Sequence, residues 1–132
     1  MEQKIELTPG LCGEKTEIVN STNTAEARGS GLMPVYSTPA MVGLMEGASL
    51  AAMGERLPAG FSSVGISINI RHLAATPLGM KVTARAELLE VDGRKLLFKV
   101  EAFDEAVKVG EGQHERFIID IEKFMQKAGN KR

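Results

Sequence analysis

A carboxylate in an otherwise uncharged segment is the first feature of this sequence that suggests chemistry. From Thr38 through Gly54 the only charged residue is Glu46. Thr38 suits an N-cap and Pro39 suits the first helical position, so a helix is predicted from about Pro39 to Met53. A helix that is apolar on all sides is buried on all sides, and an ionised Glu46 inside it needs hydrogen-bond donors. Glu46 is therefore either a catalytic group or a structural carboxylate that forms an ion pair or reaches solvent through a gap.

A histidine on the apolar face of a predicted strand is the second candidate. The apolar residues of this strand alternate with other residues, at Val64, Ile66, Ile68 and Ile70. Continuing the alternation by two residues places His72 on the same face, which the helix is expected to cover. Glu46 and His72 are thus directed at one helix–sheet interface, and acid–base and nucleophilic sites need this kind of pairing. The alternative is a core histidine whose hydrogen bonds are satisfied.

Thr38 and His114 carry weaker signals. The first interpretation of Thr38 is an N-cap, although a hydroxyl at a helix N-terminus can also orient a substrate or a water. The spacing of Thr38 and Glu46 is about 12 Å along a helix axis, so a ligand or a second subunit would have to come between them. His114 lies beside alternating charges, where a histidine is usually solvated or paired across strands. The two histidines and Cys12 lack metal-ligand spacing, so no metal site is expected.

The elements that must position these residues can be read from periodicity and turn signals. A strand is predicted at Lys15–Asn20, followed by a long polar loop at Ser21–Gly31 that is a candidate lid. Two strands with alternating apolar residues follow the helix and the His72 strand, and Asp92-Gly93 joins them as a hairpin. Their inward residues are Val82, Ala84, Ala86 and Leu88 in the first, and Leu96, Phe98, Val100 and Ala102 in the second.

The end of the chain is predicted as one more strand and a short helix. The strand runs from Val107 to Asp120, and Gly110-Glu111-Gly112 is expected to form a bulge in it. The helix begins at Ile121 and frays into the polar tail. In the central helix, Gly43 and Gly47 are expected to allow close approach of neighbouring backbones.

These elements predict a single α+β domain over residues 1–132, with residues 1–14 and 126–132 flexible. One apolar helix must cover the apolar face of the sheet, which gives a curved antiparallel sheet wrapped around a long central helix. Such a sheet has open edges, so we expect a homodimer paired edge to edge, with higher assembly left open.

Composition excludes several classes of protein. The chain has 132 residues, 43% of them hydrophobic, and its 16 Lys+Arg against 17 Asp+Glu give a net charge of −1. Scattered basic residues argue against a nucleic-acid partner, and the absence of a long apolar run argues against a membrane span. Met1–Leu7 lacks the pattern of a signal peptide, and a single cysteine, Cys12, points to a reducing compartment. A cytoplasmic protein is therefore expected.

Three motifs together resemble the fluoroacetyl-CoA thioesterase family of hotdog-fold proteins. They are Thr38-Pro39-Ala40-Met41-Val42-Gly43-Leu44-Met45-Glu46, His72-Leu73-Ala74-Ala75-Thr76-Pro77 and Gly112-Gln113-His114-Glu115-Arg116. The resemblance runs from about Tyr36 to Phe124, with the motifs in the family's order and spacing. It implies a hotdog fold and a homodimer with active sites at its interface, which agrees with the architecture expected from periodicity.

The resemblance also implies an activity and its residues. The reaction is hydrolysis of an acyl-CoA thioester to a carboxylate and free CoA, and no cofactor is implied because coenzyme A is part of the substrate. By analogy Thr38, Glu46 and His72 are catalytic. Thr38 would orient the reacting groups, His72 would handle protons, and Glu46 would be either the nucleophile or the base that activates water. Gly65 would line the acyl pocket and Arg116 would border it.

One segment departs from the family pattern. Members selective for the fluorinated substrate resemble one another in carrying phenylalanines just before the helix, as a hydrophobic lid. Here the stretch is Gly29-Ser30-Gly31-Leu32-Met33-Pro34, in which Leu32 is the expected substrate contact. A smaller lid predicts a broader set of short acyl chains. Two other functions fit the same residues: a non-catalytic acyl-CoA-binding protein, and a hotdog enoyl-CoA hydratase.

Overall fold

Five antiparallel strands and three helices make up residues 5–132, the part of the chain that the computed structural model describes. Their order is β1 (Cys12–Ile18), α1 (Ala25–Arg28), α2 (Thr38–Met53), β2 (Phe61–His72), β3 (Lys81–Asp92), β4 (Lys95–Phe103), β5 (Lys108–Asp120) and α3 (Ile121–Gly129). None of these helices is long and apolar enough to cross a membrane.

The five strands form one sheet in the order β1-β3-β4-β5-β2, with every neighbouring pair antiparallel. Helix α2 packs against the inner face of this sheet, chiefly on β1 and β3. The predicted α+β architecture, an antiparallel sheet around a long central helix, is confirmed. Strand β2 lies at one edge of the sheet and β1 at the other, so one side of each is unpaired within the described residues.

The core lies between the β3–β4 hairpin and α2. All eight predicted inward residues of this hairpin are buried, namely Val82, Ala84, Ala86, Leu88, Leu96, Phe98, Val100 and Ala102. They face Met41, Leu44 and Met45 of α2, which are also buried. Burying a side chain the size of Val, Leu, Phe or Met contributes about 1.5–3 kcal/mol, so this interface contributes substantially to stability. The predicted hairpin turn is confirmed, since Asp92 pairs with Lys95 and Gly93 has a φ of +63°.

Glycines bring α2 and the sheet unusually close together. A Cβ placed on Gly13 of β1 would overlap the backbone nitrogen of Ala52 and lie 2.6 Å from the carbonyl oxygen of Ala48. A Cβ on Gly110 of β5 would lie 2.5 Å from Sδ of Met41. Of the two helix glycines expected to serve this purpose, Gly43 does not within the described chain, because a Cβ there would meet nothing within 4 Å. Gly47 does, because a Cβ there would lie 2.5 Å from Cδ of Lys15 on β1. The close approach comes mainly from glycines in the strands.

A bulge is expected at Gly110-Glu111-Gly112, and β5 has one immediately before this segment. Gly110 lies opposite Ala102 and Lys108 lies opposite Phe103, so Val109 is the extra residue, whereas Gly112 pairs regularly with Val100. The register of the β2–β5 pair also shifts, between Gly65 and Ser67. Neither β5 glycine has room for a side chain. A Cβ on Gly110 would lie too close to Met41, and a Cβ on Gly112 would overlap the backbone of β2.

The bulge changes which residues of β2 face the helix. Ser63 and Gly65 lie opposite Ile118 and Arg116, which are buried, so they share the inner face. Ile66 is the extra residue and is half exposed. The prediction that Val64 and Ile66 share a face with His72 is therefore wrong, although His72 itself lies on the inner face, opposite Gly110.

Helix α2 begins one residue earlier than predicted and is not covered on every side. Ser37, rather than Thr38, is the N-cap, and its hydroxyl accepts a hydrogen bond of 3.1 Å from the Ala40 amide. One stripe of the helix, which includes Thr38, Gly43 and Leu50, is exposed in the described chain. The prediction of a helix buried all round is thus wrong for the single chain, because its sheet covers only the opposite side.

The predicted flexible ends are structured in part. Residues 1–4 lie outside the described residues. Leu7 is part of the buried core, and β1 begins at Cys12, inside the segment 1–14. At the other end α3 continues to Gly129. The loop predicted at 21–31 contains the short helix α1, capped by the Thr24 side chain, which accepts from the Ala27 amide.

Replacing Gly13 tests the close packing of β1 on α2. We expect Gly13→Ala to lower the free energy of unfolding by about 1–3 kcal/mol, the usual effect of overpacking, because the overlapping atoms belong to the helix backbone. Urea denaturation measures the change. Gly129→Ala is the matched control, since a Cβ at this helical glycine meets nothing within 4 Å. Equal stability of the two variants would contradict the proposed packing.

Candidate active site

A hydrogen bond between Thr38 and His72 joins the start of α2 to the end of β2. Oγ1 of Thr38 lies 2.7 Å from Nδ1 of His72. Because Ser37 supplies the cap, the Thr38 hydroxyl is free to make this contact. Burial lowers the pKa of His72 below its ordinary value, so the ring is neutral at neutral pH. The pair is thus a hydroxyl beside a neutral imidazole, the arrangement used for proton transfer.

The second nitrogen of His72 is directed into a buried position. Within residues 5–132 its Nε2 finds no hydrogen-bond partner although the atom is buried. Buried polar atoms normally have hydrogen-bond partners, and here a water or a bound group in the neighbouring cavity can supply one. Beside it is a cavity of about 430 Å³ lined by, among others, Tyr36, Thr38, His72 and Leu73. Its size is typical of sites for small ligands.

Glu46 lies in a second cluster, further along α2. Its Oε2 is 3.7 Å from Nη1 of Arg116, and its side chain is 41% exposed. The expectation that Glu46 is enclosed is therefore wrong for the single chain, because it lies on the uncovered stripe of α2. Gly65 completes this cluster, since a Cβ on it would come within 2.8 Å of the same carboxylate oxygen and 3.5 Å of Arg116 Nη1.

His114 is buried between these groups and the sheet. The solvated environment considered for it is wrong, since its exposure is 1%. Its Nδ1 lies 2.8 Å from the carbonyl oxygen of Ser67 on β2, so it is paired across strands. Its Nε2 lies 3.1 Å from Nη1 of Arg116. Burial lowers the pKa of His114, an effect that the Ser67 carbonyl opposes and the Arg116 charge reinforces.

The candidate residues thus fall into two clusters along one face of the helix. Thr38 and His72 form the first, while Glu46, Gly65 and Arg116 form the second. Within residues 5–132 no hydrogen bond or ion pair joins the two. Glu46 and His72 are predicted to be directed at one helix–sheet interface. His72 lies on the inner face of β2 and contacts Thr38 of α2, whereas Glu46 of α2 lies beside Gly65 and Arg116.

Two further residues need comment. Leu32, the expected substrate contact from the lid segment, is 90% exposed, so its contact with substrate stays a prediction. Ser63 was missed by the sequence analysis, yet its hydroxyl accepts from Nε of Arg116 at 2.8 Å. Ser63 lies on the inner face because of the bulge in β2. The sequence gives no sign of this bulge, because apolar residues alternate there without a break.

Among residues 5–132 no cluster of three His, Cys, Asp or Glu side chains is placed to hold a metal ion.

Comparison with known proteins identifies the family. A family model described as fluoroacetyl-CoA-specific thioesterase, FlK, matches residues 19–122. The chain belongs to this family. A fluoroacetyl-CoA thioesterase from Streptantibioticus cattleyicolor is 46% identical over 97 residues, which are 74% of this chain and 70% of the relative.

Solved structures agree with the family assignment and with the hotdog fold. A crystal structure of a variant of the fluoroacetyl-CoA-specific thioesterase FlK superposes with a TM-score of 0.90 at 36% identity, covering 98% of this chain and 100% of that one. A thioesterase superfamily member from Thermus thermophilus superposes with a TM-score of 0.86 at 26% identity, over 93% of this chain and 91% of that one. The matched segment of the family model includes all three motifs around Thr38, His72 and Arg116.

The half-buried His72 and the buried His114 predict how stability depends on pH. Burial lowers the pKa of both His72 and His114, so below about pH 6.5 the unfolded chain binds protons that the folded chain does not. We therefore expect the free energy of unfolding to fall as pH drops from 7 towards 5, before the carboxylates titrate. Urea denaturation at several pH values measures this slope. The double variant His72→Asn/His114→Gln should have a shallower slope, and a flat wild-type profile would contradict the interpretation.

Proposed function

We propose that this protein hydrolyses short-chain acyl-CoA thioesters to a carboxylate and free CoA. The observation that carries the proposal is the 2.7 Å hydrogen bond between Thr38 and His72, at the wall of a cavity large enough for an acyl thioester. The family assignment supports the same chemistry. Coenzyme A is part of the substrate, and no further cofactor is proposed. The reaction is assigned to the cytoplasm, where the exposed thiol of Cys12 would stay reduced.

A homodimer completes the proposed site. Thr38 and Glu46 are about 12 Å apart along the axis of α2, too far for both to touch one thioester carbon. The stripe of α2 that carries them is exposed, and β2 beside it is an edge strand. Two copies related by a two-fold axis can cover both surfaces at once. Glu46 of the partner subunit would then approach Thr38 and His72, and its carboxylate is a suitable partner for the buried Nε2.

The reaction can follow either of two routes through Glu46. As a nucleophile, the carboxylate attacks the thioester carbonyl, the CoA thiolate leaves, and water hydrolyses the resulting anhydride. As a base, it takes a proton from water, which attacks the carbonyl directly. In both routes the water that is consumed supplies the proton. His72 accepts this proton, from the water or from Glu46, and passes it to the CoA thiolate, while Thr38 orients the reacting groups through its hydroxyl. A neutral His72 suits this role, because it must accept a proton before donating it.

Mixing two inactive variants tests both the residues and the shared site. We expect Glu46→Gln and His72→Ala each to lower kcat by about 10²–10⁴-fold, the usual contribution of an acid–base group. If the site is shared, a mixed dimer has one site with both native residues. Random exchange of subunits should then restore about a quarter of wild-type activity. Thiol release from acetyl-CoA is the measurement.

Several outcomes would count against this assignment. Activity that persists in both variants would exclude the residues, and a mixture that stays inactive after proven subunit exchange would exclude a shared site. Tight CoA-ester binding without thiol release would indicate a binding protein. Loss of enoyl absorbance without thiol release would indicate a hydratase. Gln113→Ala, at an exposed position of β5, is the control for general damage.

The lid segment predicts a broad acyl range. Leu32 and Met33 are both exposed, and neither has the bulk of a phenylalanine. We expect acetyl-, branched-chain, hydroxyacyl- and fluoroacetyl-CoA to be hydrolysed with kcat/KM values within about tenfold of one another, the lower end of what one methylene contributes to discrimination. Leu32→Phe should narrow this range. Hydrolysis of the fluorinated ester alone would contradict the prediction.

A further inference from the structure

Three hydrogen bonds to Ser63 and His114 hold the guanidinium of Arg116 in place. Its Nε donates to the Ser63 hydroxyl at 2.8 Å, and its Nη2 donates to the Ser63 carbonyl at 3.0 Å. Its Nη1 lies 3.1 Å from Nε2 of His114. All three residues are buried. Residues on two neighbouring strands, β2 and β5, therefore fix both the position and the plane of this guanidinium.

The contacts of His114 determine which of its nitrogens carries the proton. A backbone carbonyl can only accept, so Nδ1 must donate to the Ser67 carbonyl. A guanidinium can only donate, so Nε2 must accept from Arg116. Both contacts are satisfied only by a neutral ring with its proton on Nδ1. The charged groups that face His114 are Arg116 on its own strand and Glu46 on α2, while β4 presents the ring of Phe98.

A neutral acceptor has a different effect on Arg116 from a carboxylate. Ser63 and His114 carry no charge, so they hold the guanidinium without cancelling its positive charge. A guanidinium has five N–H donors, and three are used here, which leaves one on each terminal nitrogen. The remaining Nη1 donor is on the atom nearest Glu46, at 3.7 Å, a distance too long for a hydrogen bond. The charge is therefore available at the open face of the site.

We propose that His114, together with Ser63, is a positioning residue for the thioesterase reaction. Through its Nε2 it holds Arg116 so that an undiminished positive charge faces Glu46 and the adjoining acyl pocket at Gly65. The inference rests on the proposed function, in which Glu46 reacts with or activates water against the thioester. A positive charge that faces the acyl pocket lowers the energy of the negative charge that develops on the substrate in the transition state.

Two near-isosteric variants separate positioning from folding. His114→Gln keeps an acceptor close to the place of Nε2, whereas His114→Asn keeps only a donor close to the place of Nδ1. We expect the Gln variant to keep most of the wild-type kcat for acetyl-CoA. The Asn variant should lose about 10- to 100-fold, the value of one hydrogen bond to a charged group. Ser63→Ala, which leaves the Ser63 carbonyl in place, should lose less than the Asn variant.

Comparing kcat with stability decides the kinetic part of the test. Each variant is assayed for thiol release from acetyl-CoA, and its melting temperature is recorded. We expect kcat to be high in variants that keep a hydrogen-bond acceptor at the place of Nε2 and low in those that lack it, whatever their melting temperatures. Asn and Gln variants with equal kcat, or a kcat that follows stability alone, would overturn it. Gln113→Ala serves again as the control.

A spectroscopic measurement tests the tautomer without any assay of activity. The chain has two histidines, so in the His72→Asn variant the ¹⁵N signals of the remaining ring belong to His114. At pH 7 we expect a neutral ring with its proton on Nδ1, both with and without substrate. A proton on Nε2 would overturn the proposal even if the enzyme is an active thioesterase. The expected tautomer in a protein that hydrolyses no acyl-CoA would instead count against the proposed function.

Discussion

The contact on which the rest of the molecule depends is the backbone packing of α2 on β1. At Gly13 an added methyl group would overlap the helix backbone, so strand and helix lie as close as polypeptide allows. This contact fixes the rotation of α2 about its own axis. With Met41 and Met45 buried in the core, the stripe that carries Thr38 and Glu46 lies beside β2 on the open side of the helix. The exposure of the helix face that carries the candidate site residues is thus a consequence of tight packing on the other side.

A single extra residue in β2 brings the two clusters onto the same face. Gly65 and His72 are an odd number of positions apart, so a regular strand would direct them to opposite faces of the sheet. The bulge at Ile66 adds one residue, and both then face α2. Without the bulge, either His72 would face away from Thr38 or Gly65 would face away from Glu46 and Arg116. A local irregularity of the backbone is therefore a condition for having both parts of the site on one helix.

The sequence predicts those parts of the fold in which local pattern and tertiary packing agree. All eight inward residues of the β3–β4 hairpin were predicted correctly, because apolar residues alternate on both sides of the Asp92-Gly93 turn. The shift of register at Leu89 in β3 was not predicted. The bulge in β2 could not be predicted either, because Ile66 continues an unbroken apolar alternation. The N-cap could not be chosen from the sequence, because Ser37 and Thr38 are adjacent and both carry a hydroxyl. The observed helix therefore begins one residue before the predicted start. The burial of His114 depends on residues of other strands, which no local pattern records.

Assembly and catalysis are coupled in the proposed homodimer through the same surface. In the single chain, water around the half-exposed Glu46 screens its attraction to Arg116. Covering the stripe of α2 removes this water, which strengthens the attraction and makes an unpaired carboxylate costly. The guanidinium, fixed by uncharged partners, is already in place to stabilise that carboxylate. The single chain leaves Glu46 half exposed, so burial of its apolar surface by a second copy would also create the low-dielectric site that the reaction needs.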